Sequence, residues 1–336
     1  MRTRRQRAVG VDIVNDGEYG KSNFTNYVRE RIEGFEIREH DGGREERLSI
    51  VARDSRWFRD YFEANPRPRS RIGVGFPVCV EELRYSERGW AELQADIANF
   101  TSALEQEGAT WGFLPANTPG TVEHWLGNDF YKSDEEFLFA IADVLHEEYR
   151  AITEAGLLLQ IDDPDLPDCW NCLPDMEVED YLPYAALRTE ALCHALRDIP
   201  RELVRLHVCW GSYHGPHYDD IPLIDIADLI FSVPVGSYSI EASNPRHEHE
   251  WRVFEEISLP EDTTLVPGVV GHYSDFIEHP DLIADRLVRY ANLVGRENVI
   301  AGTDCGLGTR VGHPEVCWAK LEALAEGARR ASEILW

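Results

Sequence analysis

Seven short apolar runs, each ending in a polar or metal-capable side chain, restrict what this chain can become. They are VDIVN (11–15), TWGFLPA (110–116), LLLQID (157–162), LVRLHVC (203–209), SYSIE (237–241), TLVPGVV (264–270) and NVIAGTD (298–304). Runs of this length, bounded by polar residues, read as strands. Longer segments of helical period separate several of them. Residues 134–155 carry apolar positions at 137, 138, 141, 144, 145 and 149, behind an acidic start at Asp134, Glu135 and Glu136. That start suits the positive end of a helix. Residues 180–196 and 281–294 read the same way. Strands alternating with helices predict a parallel sheet with right-handed crossovers. The chain has 336 residues, 43% of them hydrophobic. One (β/α)8 barrel of TIM type can use that whole length as a single domain, 1–336. The competing architecture is an open doubly wound sheet, but no Gly-rich loop joins a strand to a helix. Residues 34–80 are polar and irregular, with NPRPRSRIGVGFP near their end. They read as a hairpin or extension of the barrel rather than a second domain.

The charge balance excludes whole classes of partner. There are 61 acidic against 33 basic residues, a formal net charge of −28. Such a field repels nucleic acid and anionic membrane, so neither is expected as a partner. No stretch approaches the roughly 20 apolar residues of a membrane span. The basic start MRTRRQR is followed by no apolar core of a signal peptide. Seven cysteines are an odd and sparse set, which argues against a disulfide framework and for a cytoplasmic protein with free or metal-bound thiols.

Chemistry in a parallel barrel gathers at the C-terminal ends of its strands. Those ends carry Asp16 and Glu18, Asp162 and Asp163, His207 and Cys209, Glu241, His272, and Asp304 and Cys305. Residues two apart in a strand face the same way, so His207 and Cys209 aim at one spot. With Glu241 and Cys305 they make a four-ligand zinc set, His207, Cys209, Glu241 and Cys305. Two thiolates pull zinc towards thiol chemistry, and the carboxylate is the ligand most readily displaced. A thiol on zinc is deprotonated near neutral pH and becomes a nucleophile. The set therefore points to attack by a substrate thiol on an electrophilic carbon.

The ordered motifs HVC, IEAS and TDCGLGTR resemble the zinc motifs of the cobalamin-independent methionine synthase family, in its catalytic C-terminal domain. The resemblance runs over roughly residues 8–333. It implies zinc on His207, Cys209, Glu241 and Cys305, and methyl transfer to a homocysteine-like thiol in methionine biosynthesis. IDDPD is similar to the family segment whose aspartate holds the amino-acid substrate, which implies that role for Asp162. VNDGE resembles the segment that supplies a substrate-side glutamate, here Glu18. HVCWGSYHGPH looks closer to the family's short branch, which includes epoxyalkane:coenzyme M transferases. Epoxide opening by a thiol is therefore the alternative activity. The chain departs from the family in two ways. The duplicated N-terminal barrel of the long enzymes is absent, and only about ten residues precede VDIVNDGE, so either the sequence begins late or the barrel lacks the family's first strand.

Other residues carry competing readings. His214 and His217 follow the HVC strand in a Gly- and Pro-bearing loop, where they would touch substrate or simply be solvated. His272 is a candidate general acid for the leaving group, against a structural histidine. CWNC (Cys169–Cys172) is a rival metal or redox motif, but no second C-x-x-C completes it. Cys79, Cys193 and Cys317 read as small buried apolar residues, and Trp111, Trp125 and Trp210 as pocket or core. The expected partners are a small thiol and an alkyl donor: a folate, a corrinoid or a small methylated metabolite. Zinc hydrolysis through an activated water is disfavoured, since four protein ligands leave no open position. A degenerate, non-catalytic zinc-binding barrel remains the alternative of another class.

Overall fold

Alternation within the apolar runs decides how they pack. In Leu158–Asp163, Val204–Val208 and Ser237–Glu241, the residues Leu159, Ile161, Leu206, Val208, Tyr238 and Ile240 are buried in the main core. Gln160, Asp162, Arg205, His207, Ser239 and Glu241 alternate with them. Successive side chains point to opposite faces, so one face packs under helices and the other is polar. The computed structural model describes residues 2–38, 49–65 and 76–336. In chain order the strands are β1 Ile13–Asn15, β2 Ile32–Arg38, β3 Phe76–Tyr85, β4 Trp111–Asn117, β5 Gly127–Asn128, β6 Leu158–Asp163, β7 Val204–Val208, β8 Ser237–Glu241, β9 Thr264–Val270 and β10 Gly302–Thr303.

Seven of them form one curled sheet in the order β1-β4-β6-β7-β8-β9-β10, every neighbouring pair parallel. This is a TIM-like α/β barrel built on seven strands, with β1 and β10 at its two edges. Its helices include Glu87–Glu107, Asp134–Glu154, Val178–Ala195, Leu223–Ser232, Pro280–Val294 and Pro314–Leu335. Ser86 and Ser133 cap two of them by accepting from Gly89 and Glu136 backbone N–H groups. Among the described residues no helix is long and apolar enough to cross a membrane.

The described residues contain no eighth strand in this sheet, and a helix, Arg2–Ala8, lies beside β1 instead. An exposed edge leaves backbone N–H and C=O groups unpaired. Here the Gln6 side-chain amide makes both bonds a neighbouring strand would make to Asn15. Its Nε2 donates to the Asn15 carbonyl at 2.8 Å, and its Oε1 accepts from the Asn15 N–H at 2.9 Å. The same helix reaches both flanks of the gap. Arg4 pairs with Glu107 at 3.0 Å, while Arg5 pairs with Glu315 and lies over the Trp318 ring.

Within the stretch 34–80, residues 39–48 and 66–75 lie outside the described residues. Around them, β2 and β3 pair antiparallel, Ile32 opposite Tyr85 and Arg38 opposite Phe76, and β5 joins β3. Two short helices, Ala52–Trp57 and Arg59–Ala64, intervene. Arg53 donates to the carbonyls of Trp170, Leu173 and Met176, and Asp54 accepts the N–H groups of Tyr218 and Asp219. These bonds dock the insertion on the loops that follow β6 and β7.

Candidate metal centre

Lateral register lines up the centre. Asp162 on β6 pairs with His207 on β7, and His207 with Ser239 on β8, so the three share the polar face. Cys209 follows the end of β7 by one residue, and Cys305 follows β10 by two. The donor atoms of His207, Cys209 and Cys305 all lie within 4.8 Å of one another. His207 and Cys209 are buried; Cys305 is partly exposed. Ser239 Oγ sits 3.1 Å from His207 Nδ1, which fixes the ring, and His207 Nε2 is buried with no hydrogen-bond partner. A histidine held at one nitrogen and unsatisfied at the other is the usual state of a metal ligand. Ser212 Oγ donates to Cys305 Sγ at 3.3 Å. A hydrogen bond with Cys209 holds the Cys305 thiol well below its ordinary range against the cost of burial, and His207 adds to this. The Cys209 thiol moves the other way, first through Cys305 and then through burial.

Glu241 ends β8 in an adjoining cluster with His272 and Asp304. Its Oε2 accepts from the Trp210 N–H and from Asn244 Nδ2, at 3.4 and 3.3 Å. Its Oε1 has no hydrogen-bond partner and lies 3.9 Å from His272 Nδ1, which is likewise buried and unsatisfied. Burial pushes the Glu241 carboxyl well above its ordinary range and lowers His272. Asp304 is spent differently. It accepts from the backbone N–H groups of Ala242 and Ser243 and from the Ser243 hydroxyl, fixing the chain just after Glu241. Gly268 on β9 permits this approach, since a Cβ there would meet the Asp304 Cα at 2.4 Å. The donor set fits zinc: two thiols, an imidazole with a bare Nε2, and a carboxylate with a bare Oε1.

On β6, Asp162 accepts from Gln160 Nε2 at 2.7 Å. Its carboxyl is pushed up to about 6, first by burial, with Glu18 and Cys305 adding. Glu18 follows β1 in a left-handed turn, φ 52°, and pairs with Lys21 at 3.6 Å. The two loop histidines part company. His214 is exposed. His217 has both ring nitrogens engaged, Nδ1 with Asp220 at 2.8 Å and Nε2 with the Tyr213 carbonyl at 3.1 Å, and it stacks on the Tyr213 ring. It therefore builds the loop and offers no free nitrogen to a substrate. Trp210 is core, with its N–H on the Ile221 carbonyl, whereas Trp111 is half exposed.

Sequence reasoning missed Ser239, Ser212 and the pair Asp220–His247. Ser239 had a signal, for it stands two residues before Glu241 on the same face of β8. The others act through loop packing, which leaves no periodic trace.

Residues 117–329 match the family described as cobalamin-independent synthase, catalytic domain. A methionine synthase of Thermococcus kodakarensis is 24% identical over 305 residues, 90% of this chain and 74% of its own. One from Saccharolobus solfataricus is 22% identical over 329 residues, 97% of this chain and 81% of its own. Among solved structures, a B12-independent methionine synthase from Shewanella sp. W3-18-1 in complex with selenomethionine superposes with a TM-score of 0.72 at 20% identity, covering 99% of this chain and 86% of that one. A putative vitamin-B12-independent methionine synthase from Listeria monocytogenes gives 0.64 at 16% identity, covering 99% and 84%. At these identities the structural likeness speaks to the fold.

Proposed function

The chain belongs to the cobalamin-independent synthase family through its catalytic domain, and from that premise we propose that it transfers a methyl group to the sulfur of a homocysteine-like thiol. As a family member it is a thiol alkyltransferase of the methyltransferase kind. The observation that carries the finer reading is the unsatisfied His207 Nε2 set among two cysteine sulfurs. His207, Cys209 and Cys305 would hold zinc, with the Glu241 carboxylate beside them. Bound zinc would lower the substrate thiol's pKa, so that sulfur attacks the methyl carbon as thiolate. Ser239 keeps the His207 ring oriented. Asp162 and Glu18 supply negative charge for a substrate ammonium group. His272, buried and unsatisfied at Nδ1 and favoured in its neutral form, would take up the proton the substrate thiol releases and pass it to the departing donor. Two carboxylates also favour an amino-acid thiol over a sulfonated one, which they would repel.

The test is methylation of homocysteine, followed by mass spectrometry with folate, corrinoid and small methylated donors in parallel. Cys209→Ser and Cys305→Ser should each abolish product, while Cys317→Ser should retain it. No product from the folded, zinc-loaded protein with any donor would defeat the reading.

A further inference from the structure

The C-x-x-C motif at 169–172 finds its partner only in the folded chain. The helix Asp165–Cys172 carries Asp165, Cys169 and Cys172 at i, i+4 and i+7, on one face. Against that face lies His124, the last residue of the helix Pro119–His124 that follows β4. All four residues are buried, none more than 5% exposed. The donor atoms of His124, Cys169 and Cys172 lie within 4.8 Å of one another. Cys169 Sγ is 3.1 Å from His124 Nδ1, and Cys172 Sγ is 3.5 Å from His124 Nε2. Asp165 Oδ1 contacts His124 Nδ1 and lies 3.8 Å from Cys169 Sγ.

We propose that His124, Cys169 and Cys172 form a second metal site, taking a zinc-class divalent cation, with Asp165 as the residue that orients the imidazole. Tetrahedral zinc, with bonds of about 2.0 Å to nitrogen and about 2.3 Å to sulfur, has an N···S edge of about 3.5 Å. The Cys172 Sγ to His124 Nε2 separation already matches that edge. A carboxylate on the other ring nitrogen is the common support of a metal-bound histidine. Charge also balances, since two thiolates neutralise the cation. The excess charge of Asp165 faces the His124 N–H, with Arg188 packed on the neighbouring Tyr184 ring. Tyr184 O–H lies 3.9 Å from Cys169 Sγ. The site would tie the helix after β4 to the helix after β6, behind the strand end that carries Asp162. No ligand is shared with the His207 cluster, so the site stands or falls separately from the proposed methyl transfer.

The 336-residue chain, purified under reducing conditions with zinc present, decides the question by elemental analysis. Wild type should hold about two zinc ions per chain, and the Cys169→Ser/Cys172→Ser and Cys209→Ser/Cys305→Ser variants about one each, as two separate ligand sets require. Should the first variant fail to fold, the second still decides. X-ray absorption of its remaining zinc should show about two sulfur neighbours near 2.3 Å. A folded Cys209→Ser/Cys305→Ser chain without zinc would overturn the site. So would zinc without sulfur neighbours in that variant, an unchanged zinc content in folded Cys169→Ser/Cys172→Ser, or a Cys169–Cys172 disulfide in zinc-loaded wild type.

Discussion

Ser239 is a small residue with a large lever. Its hydroxyl is the His207 Nδ1 partner, so it would select which nitrogen meets a bound cation. Removing such a support typically weakens metal binding about 10–100-fold. Ser239→Ala should show that loss in competition with a chromophoric chelator, while its melting temperature without metal stays near wild type. An unchanged affinity would mean that the strand alone holds the ring. Asp162 tests the other end of the centre. It is the lateral neighbour of His207, yet its own side-chain bond is to Gln160. Asp162→Asn keeps that bond and removes the charge. Homocysteine affinity by calorimetry should fall by about tenfold or more, the scale of one charge-assisted hydrogen bond, with zinc still bound. A tighter complex would instead favour a sulfonated thiol.

Among the elements, the helix Arg2–Ala8 does work that its sequence does not advertise. MRTRRQR reads only as a basic start without the apolar core of a signal peptide, and nothing in it suggests a strand substitute. In the fold, Gln6 is buried and closes the Asn15 backbone groups of β1. Gln6→Ala leaves the part-buried Asn15 N–H and C=O unpaired, at a cost of up to about 1–3 kcal/mol for each group that water does not reach. Urea unfolding should show that loss, with Gln6→Glu intermediate because it keeps the acceptor. Equal stability of Gln6→Ala and wild type would show that the edge is satisfied by other means. Other elements were plainer. SYSIE and TLVPGVV match β8 and β9 residue for residue, and the helix read at 134–155 spans Asp134–Glu154. NVIAGTD reads as a full strand. Its pairing with β9 is broken: Val299 makes an isolated bridge to Leu265, and the register shifts between Gly302 and Thr303, the two residues that form β10. The periodic segments read from the sequence do not include the helices Glu87–Glu107 and Pro314–Leu335, whose start signals are Ser86 and Pro314.

Across the molecule, a buried network sets a pH dependence. His247 stacks on Trp210 and bridges Asp220 and Glu250, while His217 binds the same Asp220. Burial lowers His247, but the bonds to Asp220 and Glu250 outweigh it and its pKa ends up raised. Burial raises Asp220, yet the two imidazoles pull it well below the carboxylate range. The raised histidine stabilises fully below its unfolded value of about 6.5, and that stability fades as pH climbs through the folded value. The depressed aspartate stabilises above about 3.9, fading as pH falls through its own folded value. The melting-temperature gap between wild type and His247→Gln should therefore peak between about pH 4 and 6.5 and narrow towards pH 9. A gap that grows with pH would contradict a charged His247. None of this was legible beforehand, for Asp220, His247 and Glu250 sit in loops and turns without period. What the sequence determined alone was whatever repeats locally: alternation made the strands and their polar face, and strand ends named His207, Cys209, Glu241 and Cys305. Tertiary structure alone decided which of those donors meet. It gathered His207 with the two sulfurs and set Glu241 beside His272. It spent His217 on Asp220, and it brought His124 to Cys169 and Cys172 across 45 residues. The physical reason is range: a period of two or 3.6 orients a side chain on its own element, whereas a metal centre needs separate elements to converge, and only packing brings them together.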